Sequence, residues 1–347
     1  MNQYALVDIL PTYPPDLQRL VDFLQRHQLR YEHDIDFALG MEDDDQHLIC
    51  CGCCAGNILK CFAIDDACQG ENLLGTLVPQ LMSNRFSMGY SHLFLFTKPD
   101  KIPAFCGCGF HLVAQTPHVA MLENLSNGLE QFLRRLPALS KAGETGAIIM
   151  NCNPFTWGHR HLIEYAAAHC QTLHIFAVEE DRSVFPFSVR FRLLQEGTAD
   201  LPHVAVHPGG PYIISGATFP TYFLKRAEDG AEEQARLDLT VFAETIAPRL
   251  GIQVRFIGSE PACPVTASYN RMMMEMLPPA GIRVCEIPRI TTAGGEIISA
   301  SAVREELKRL SPGAWLKDLV PPCTLRYLCS EEAAPGIRAL RSPLYSK

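Results

Sequence analysis

Apolar positions set out two different rhythms along the chain. Leu17, Leu20, Val21 and Leu24 fall at helical spacing within residues 16–27, which predicts an amphipathic helix. Residues 47–54 and 58–64 are apolar runs on either side of Ala55-Gly56-Asn57, the pattern of a β-hairpin. A helical stretch at 72–82, a strand at 92–97 before Pro99, and the segment Phe105-Cys-Gly-Cys-Gly-Phe110 follow. Residues 126–135 read as a short helix with a basic end, and 137–145 as a linker. The rhythm then changes. Apolar strands at 146–150, 174–178, 204–207, 254–257 and 284–287 are mostly separated by helical segments, including 160–169 and 237–250. Such alternation predicts an α/β domain with a parallel, doubly wound, Rossmann-like sheet. Residues 331–347, rich in Ala, Pro, Gly, Arg and Ser, are expected to form a loose tail.

The length of 347 residues fits two domains, taken as 1–136 and 146–330. With 30 Lys+Arg against 38 Asp+Glu, the formal net charge of −8 argues against broad binding to nucleic acid or anionic membranes. No apolar run reaches transmembrane length, and residues 1–8 lack the form of a signal peptide, so a cytoplasmic location is expected. Cys50, Cys51, Cys53 and Cys54 crowd the first strand of the hairpin, where adjacent side chains face opposite sides. They are expected to be small buried side chains, with no metal site.

The candidate chemistry lies in residues 146–164. An apolar strand enters an Asn/Pro/Gly loop that opens a helix, and Thr156-Trp-Gly-His159 sets a histidine and a hydroxyl beside the helix N-terminus. Unpaired N–H groups and the positive dipole end attract phosphate there. Thr156 and His159 are thus candidate catalytic donors to an α-phosphoryl oxygen. Gly158 would allow close backbone approach, and Asn153 and Phe155 are further ATP-binding candidates. Taken alone, a histidine at this position is an ordinary cap. A second segment, Ile298-Ser-Ala-Ser-Ala-Val-Arg304, predicts another helix start, with Ser299 or Ser301 capping and Arg304 one turn in. Its hydroxyls and guanidinium suit the β- and γ-phosphates. Arg190, Arg192, Ser215, Thr218, Gly258 and Glu260 are further candidates for substrate, phosphate or nucleotide contact; Glu260 could instead hold a neighbouring arginine.

The two short motifs resemble the nucleotidylyltransferase superfamily. Longer segments at 151–164, 185–194, 197–202, 212–220, 256–261, 263–266, 269–270 and 298–304 resemble the citrate lyase ligase family within it. That resemblance implies attack of acetate on the α-phosphorus of ATP, with magnesium on the phosphates. Transfer of the acetyl group to a thiol on the citrate lyase acyl carrier subunit would follow. The alternative within the superfamily joins a nucleotide to the phosphate of a coenzyme precursor. The element order of the first domain resembles a GNAT-type N-acetyltransferase. Its coenzyme A pyrophosphate loop is degenerate, because Asn72 and Leu74 stand where that family has small residues.

Overall fold

The computed structural model describes residues 4–136, 143–179, 183–214, 219–224, 230–261 and 263–342. The chain divides into two compact units, Met1–Gln131 with Thr218–Val241, and Phe132–Ala217 with Phe242–Lys347. The segment 218–241, kept with the rear domain in the sequence reading, clusters with the front unit. Tyr222 is buried there and donates its hydroxyl to the Phe96 carbonyl at 3.0 Å. Thr221 donates both its N–H (2.7 Å) and its hydroxyl (2.9 Å) to Glu32.

The front unit carries strands β1 (Ala5–Ile9), β2 (Phe37–Glu42), β3 (Leu48–Ala55), β4 (Ile58–Ile64), β5 (Phe94–Thr97), β6 (His111–Gln115) and β7 (Ala120–Glu123). They form one sheet in the order β1-β2-β3-β4-β5-β7-β6. Every neighbouring pair is antiparallel except β4–β5. Helices α1 (Pro14–Arg26), α2 (Leu73–Ser87) and α3 (Ile102–Cys106) alternate with these strands along the chain, which makes the unit α/β. The predicted hairpin is β3–β4, and its four crowded cysteines are all fully buried. Burial pushes the thiols of Cys50 and Cys54 up to about 12, so both stay protonated at neutral pH. At the start of α2, Asn72 holds a left-handed backbone with φ 53°. Its side chain lies 2.6 Å from where a Cβ on Gly75 would stand, so it covers the first turn of the helix. A pyrophosphate seeking that helix start would have to displace it.

Helix α4 (Gly128–Arg135) leads into the second unit. There β8 (Thr145–Met150), β9 (Thr172–Ala177), β10 (Val204–Pro208), β11 (Ile252–Gly258) and β12 (Arg283–Ile287) form an all-parallel sheet, ordered β10-β9-β8-β11-β12. The chain winds outward from β8 to β10, returns, and winds the other way through β11. The carboxyl ends of β8 and β11 therefore flank the topological switch point, where open α/β sheets bind ligands. Helices α5 (Trp157–Ala168) and α6 (Phe187–Glu196) follow β8 and β9. Further along come α7 (Gly230–Val241, of the front unit), α8 (Ala247–Leu250), α9 (Pro264–Met276), α10 (Ala300–Arg309) and α11 (Pro322–Leu328).

The expected loose tail is instead structured over most of its length. Helix α12 (Ala334–Leu340) buries Ile337 and Leu340, together with the preceding Ala333, in the core of the second unit. Arg341 donates to the carbonyls of Leu307 (3.0 Å) and Leu310 (2.8 Å) near the end of α10. Among the described residues, no helix is long and apolar enough to cross a membrane.

Candidate functional site

The loop after β8 is held from below by one buried arginine. Arg190 is 1% exposed and donates to the carbonyls of Asn151 (2.7 Å), Val178 (2.8 Å) and Phe185 (3.1 Å) and to Asn151 Oδ1 (2.6 Å). Its guanidinium is turned into the protein, which corrects the expectation of a phosphate contact. Arg192 lies two positions on, nearly opposite around α6. It pairs with Glu332 at 2.8 Å and Glu196 at 3.9 Å, so it too is committed elsewhere. Ser215 and Thr218 lie outside the described residues.

Asn153 is buried, and its Oδ1 accepts the Phe185 N–H at 3.2 Å. The Phe155 ring is fully buried in the core and stacks on His159 at 6.0 Å between centroids. Its side chain therefore supports the imidazole and is not open to ATP. Thr156 is the N-cap of α5 and forms a reciprocal capping box with His159. Its N–H donates to His159 Nδ1 at 3.0 Å, and the His159 N–H donates back to Thr156 Oγ1 at 3.4 Å. The hydroxyl also lies 2.9 Å from Nδ1. Thr156 is only 1% exposed, so its hydroxyl orients the histidine and does not itself reach out to phosphate.

This cap fixes the proton on His159. Nδ1 accepts a backbone N–H, which leaves the ring proton on Nε2. Burial, then the charges of Arg289 and Arg304, push the His159 pKa down to about 4. The ring is a neutral donor at physiological pH.

The second predicted motif meets the first. Ser299 caps α10 by accepting the Ala302 N–H at 3.1 Å. Arg304 donates to the Asn153 carbonyl in the β8 loop and to Ser301 Oγ at 3.0 Å, tying the two motifs together. Gly158 supplies the contact. A Cβ there would stand 2.5 Å from the Ile298 carbonyl, so only glycine lets the start of α5 lie against the start of the α10 segment. Its role is this approach of two chain segments, where the sequence suggested approach to a nucleotide. At Gly258, by contrast, a Cβ would meet no atom within 4 Å, and the end of β11 faces open space. Glu260 follows it and forms an ion pair with Arg289.

Arg289 is the residue near the site that the sequence reading missed. It lies just past β12, outside any helical period or phosphate motif, and its Nε donates to the Ser259 carbonyl at 2.7 Å. The remaining signal was its position, two residues after a strand at the ligand edge. The site thus brings together a neutral Nε2–H donor, two helix N-termini and two arginines at the carboxyl edge of a parallel sheet. That combination can bind a polyphosphate and stabilise charge on one of its phosphoryl groups.

Known proteins carry the same text. The family described as "Citrate lyase ligase C-terminal domain" matches residues 145–328. A [citrate [pro-3S]-lyase] ligase of Klebsiella pneumoniae is 43% identical over 320 residues, 90% of this chain and 93% of its own. One of Haemophilus influenzae is 40% identical over 327 residues, 92% and 97% of the two chains. Among solved structures, a GNAT-family N-acetyltransferase of Escherichia coli in complex with CoA aligns over 37% of this chain and 84% of its own, at 16% identity and a TM-score of 0.29. On the family match and the near full-length relatives, this chain belongs to the [citrate [pro-3S]-lyase] ligase family.

Proposed function

We propose that the second unit makes acetyl-adenylate from acetate and ATP, and that the acetyl group then passes to the thiol of the citrate lyase acyl carrier subunit. In the first step an acetate oxygen forms a bond to the α-phosphorus and pyrophosphate leaves with the electron pair. In the second, the thiol sulfur attacks the acetyl carbon, AMP leaves, and the thiol proton goes to solvent. The observation that carries this reading is the cap that keeps Nε2–H of a neutral His159 available at the carboxyl edge, beside Arg304.

As acetate attacks, negative charge builds on the non-bridging α-phosphoryl oxygens. A fixed Nε2–H donor meets that charge without reorganising, which is worth roughly 3–4 kcal/mol. Arg304 and the N-terminus of α10 suit the pyrophosphate end. Magnesium enters this reading with the nucleotide, where it would offset the phosphate charge that repels acetate. Work in the cytoplasm belongs to the same reading.

The test is direct. Full-length protein, ATP, magnesium, labelled acetate and deacetylated citrate lyase should yield labelled carrier subunit and one AMP per acetyl group. Formation of ADP, or of a dinucleotide without acetate transfer, would contradict it.

A further inference from the structure

We propose that Arg289 binds the pyrophosphate end of ATP, with Glu260 and the Ser259 carbonyl holding its guanidinium beside the N-cap of α10. This rests on the adenylation reading above and names the residue that completes its phosphate site.

Register places the side chain. Thr291 and Ile297 form an antiparallel bridge, and the Ile298 N–H donates to the Ile290 carbonyl at 3.1 Å. Residues 291 and 297 are therefore partners, the 290–298 bond carries the register one step further, and continuing it sets Arg289 opposite Ser299. Opposed residues in such a ladder have Cα atoms about 4.5–5.5 Å apart. Ser299 is the N-cap of α10, so Arg289 emerges next to that helix start. The same strap touches the other one, because the Ile298 carbonyl packs against Gly158 in the first turn of α5. Both helix N-termini and Arg289 thus converge on one short segment.

Charge accounting points the same way. ATP brings about four negative charges and acetate one more, in a protein of net charge −8. Arg190 is turned inward and Arg192 is paired with Glu332. Arg160 is held by Asp200, Glu164 and the Gly197 carbonyl, and Arg283 by Glu144. Among the described residues, Arg304 and Arg289 stand at the carboxyl edge beside the two helix starts. The bonds of Arg289 to Ser259 and Glu260 use Nε and Nη2. Nη1, with two N–H groups, has no hydrogen bond or ion pair among the described residues and can serve a phosphate fork. Glu260 fixes the orientation of this cation, which makes it a positioning residue.

Equilibrium binding tests the assignment. A non-hydrolysable ATP analogue and AMP, each with magnesium, are titrated into full-length wild type, Arg289→Ala, Arg289→Lys and Glu260→Gln. The Ala variant should bind the analogue about tenfold or more weakly, because charge-assisted bonds to the phosphates are lost. Its AMP affinity should stay within about twofold, since AMP lacks the β- and γ-phosphates. The Lys variant keeps the charge without the fork and should fall between; Glu260→Gln should shift in the same direction by less. If Arg289→Ala does not fold, the Lys variant decides by the same comparison. Equal losses for analogue and AMP, or no loss for either, would overturn the assignment while wild-type binding left the adenylation reading standing. Wild type that fails to bind the analogue would overturn both.

Discussion

At the scale of single residues, His159 carries one proton at a defined atom. Its pKa of about 4 lies below the ordinary histidine value, so the ring stays neutral from about pH 5 upward. Acetate-dependent turnover should therefore show no ionisation near pH 6.5 that disappears in a His159 variant. A rate–pH profile between pH 5.5 and 8 checks this, and a step traceable to His159 would show that the ring titrates in the working range. Gly158→Ala should be harmful for a different reason. Its Cβ would press on a backbone carbonyl, which cannot rotate away as a side chain would. Overpacking of this kind costs roughly 1–3 kcal/mol, and the rate of labelled pyrophosphate exchange into ATP should fall as the two helix starts separate.

These residues differ in how plainly the sequence announces them. His159, Gly158, Ser299 and Arg304 stand at fixed spacings around predicted helix starts, and helix geometry converts spacing into position. Arg190 and Phe155 lie in equally suggestive places, yet burial decides their roles, and burial depends on packing from distant segments. Arg289 depends on the antiparallel pairing of residues 290 and 298, for which no local pattern exists.

At the scale of elements, the strands of the second unit follow the apolar pattern most plainly at β8, β9 and β11, which are buried almost throughout, while the edge strands β10 and β12 are only partly buried. Helix α12 is the instructive failure. Its composition suggested a loose tail, while Ala333, Ile337 and Leu340 recur at i, i+4 and i+7, the spacing of one helical face. Ile337→Ala should destabilise the second unit by about 2–4 kcal/mol, read as a lower unfolding midpoint in urea. An unchanged midpoint would mean that α12 adds nothing to the core.

At the scale of the whole molecule, sequence order and spatial grouping part company. Residues 218–241 stand in the chain between strands of the second unit and cluster with the first. A fragment of residues 1–136 would lose the Tyr222 hydroxyl bond to Phe96 and the Thr221 bonds to Glu32. It should express poorly or unfold without cooperativity, whereas a cooperative transition in that fragment would show that the inserted segment is dispensable. Acid should also weaken the intact protein. Burial holds His174 and His207, whose rings lie 2.8 Å apart between Nδ1 and Nε2, down to about 4, as it does His159. Unfolded histidines take protons near pH 6.5. The unfolded state therefore binds more protons as pH falls from about 6.5 to about 4, and stability drops across that window. Melting temperatures measured from pH 7 to 4.5 should decline, and a flat profile would deny the buried neutral state of these rings.

Adenylate formation itself is read most directly by exchange of labelled pyrophosphate into ATP, with magnesium and with or without acetate. Wild-type protein should exchange label only when acetate is present, and His159→Ala should lose about a hundredfold or more of that rate. Exchange that ignores acetate, or survives intact in His159→Ala, would contradict acetate activation by this histidine.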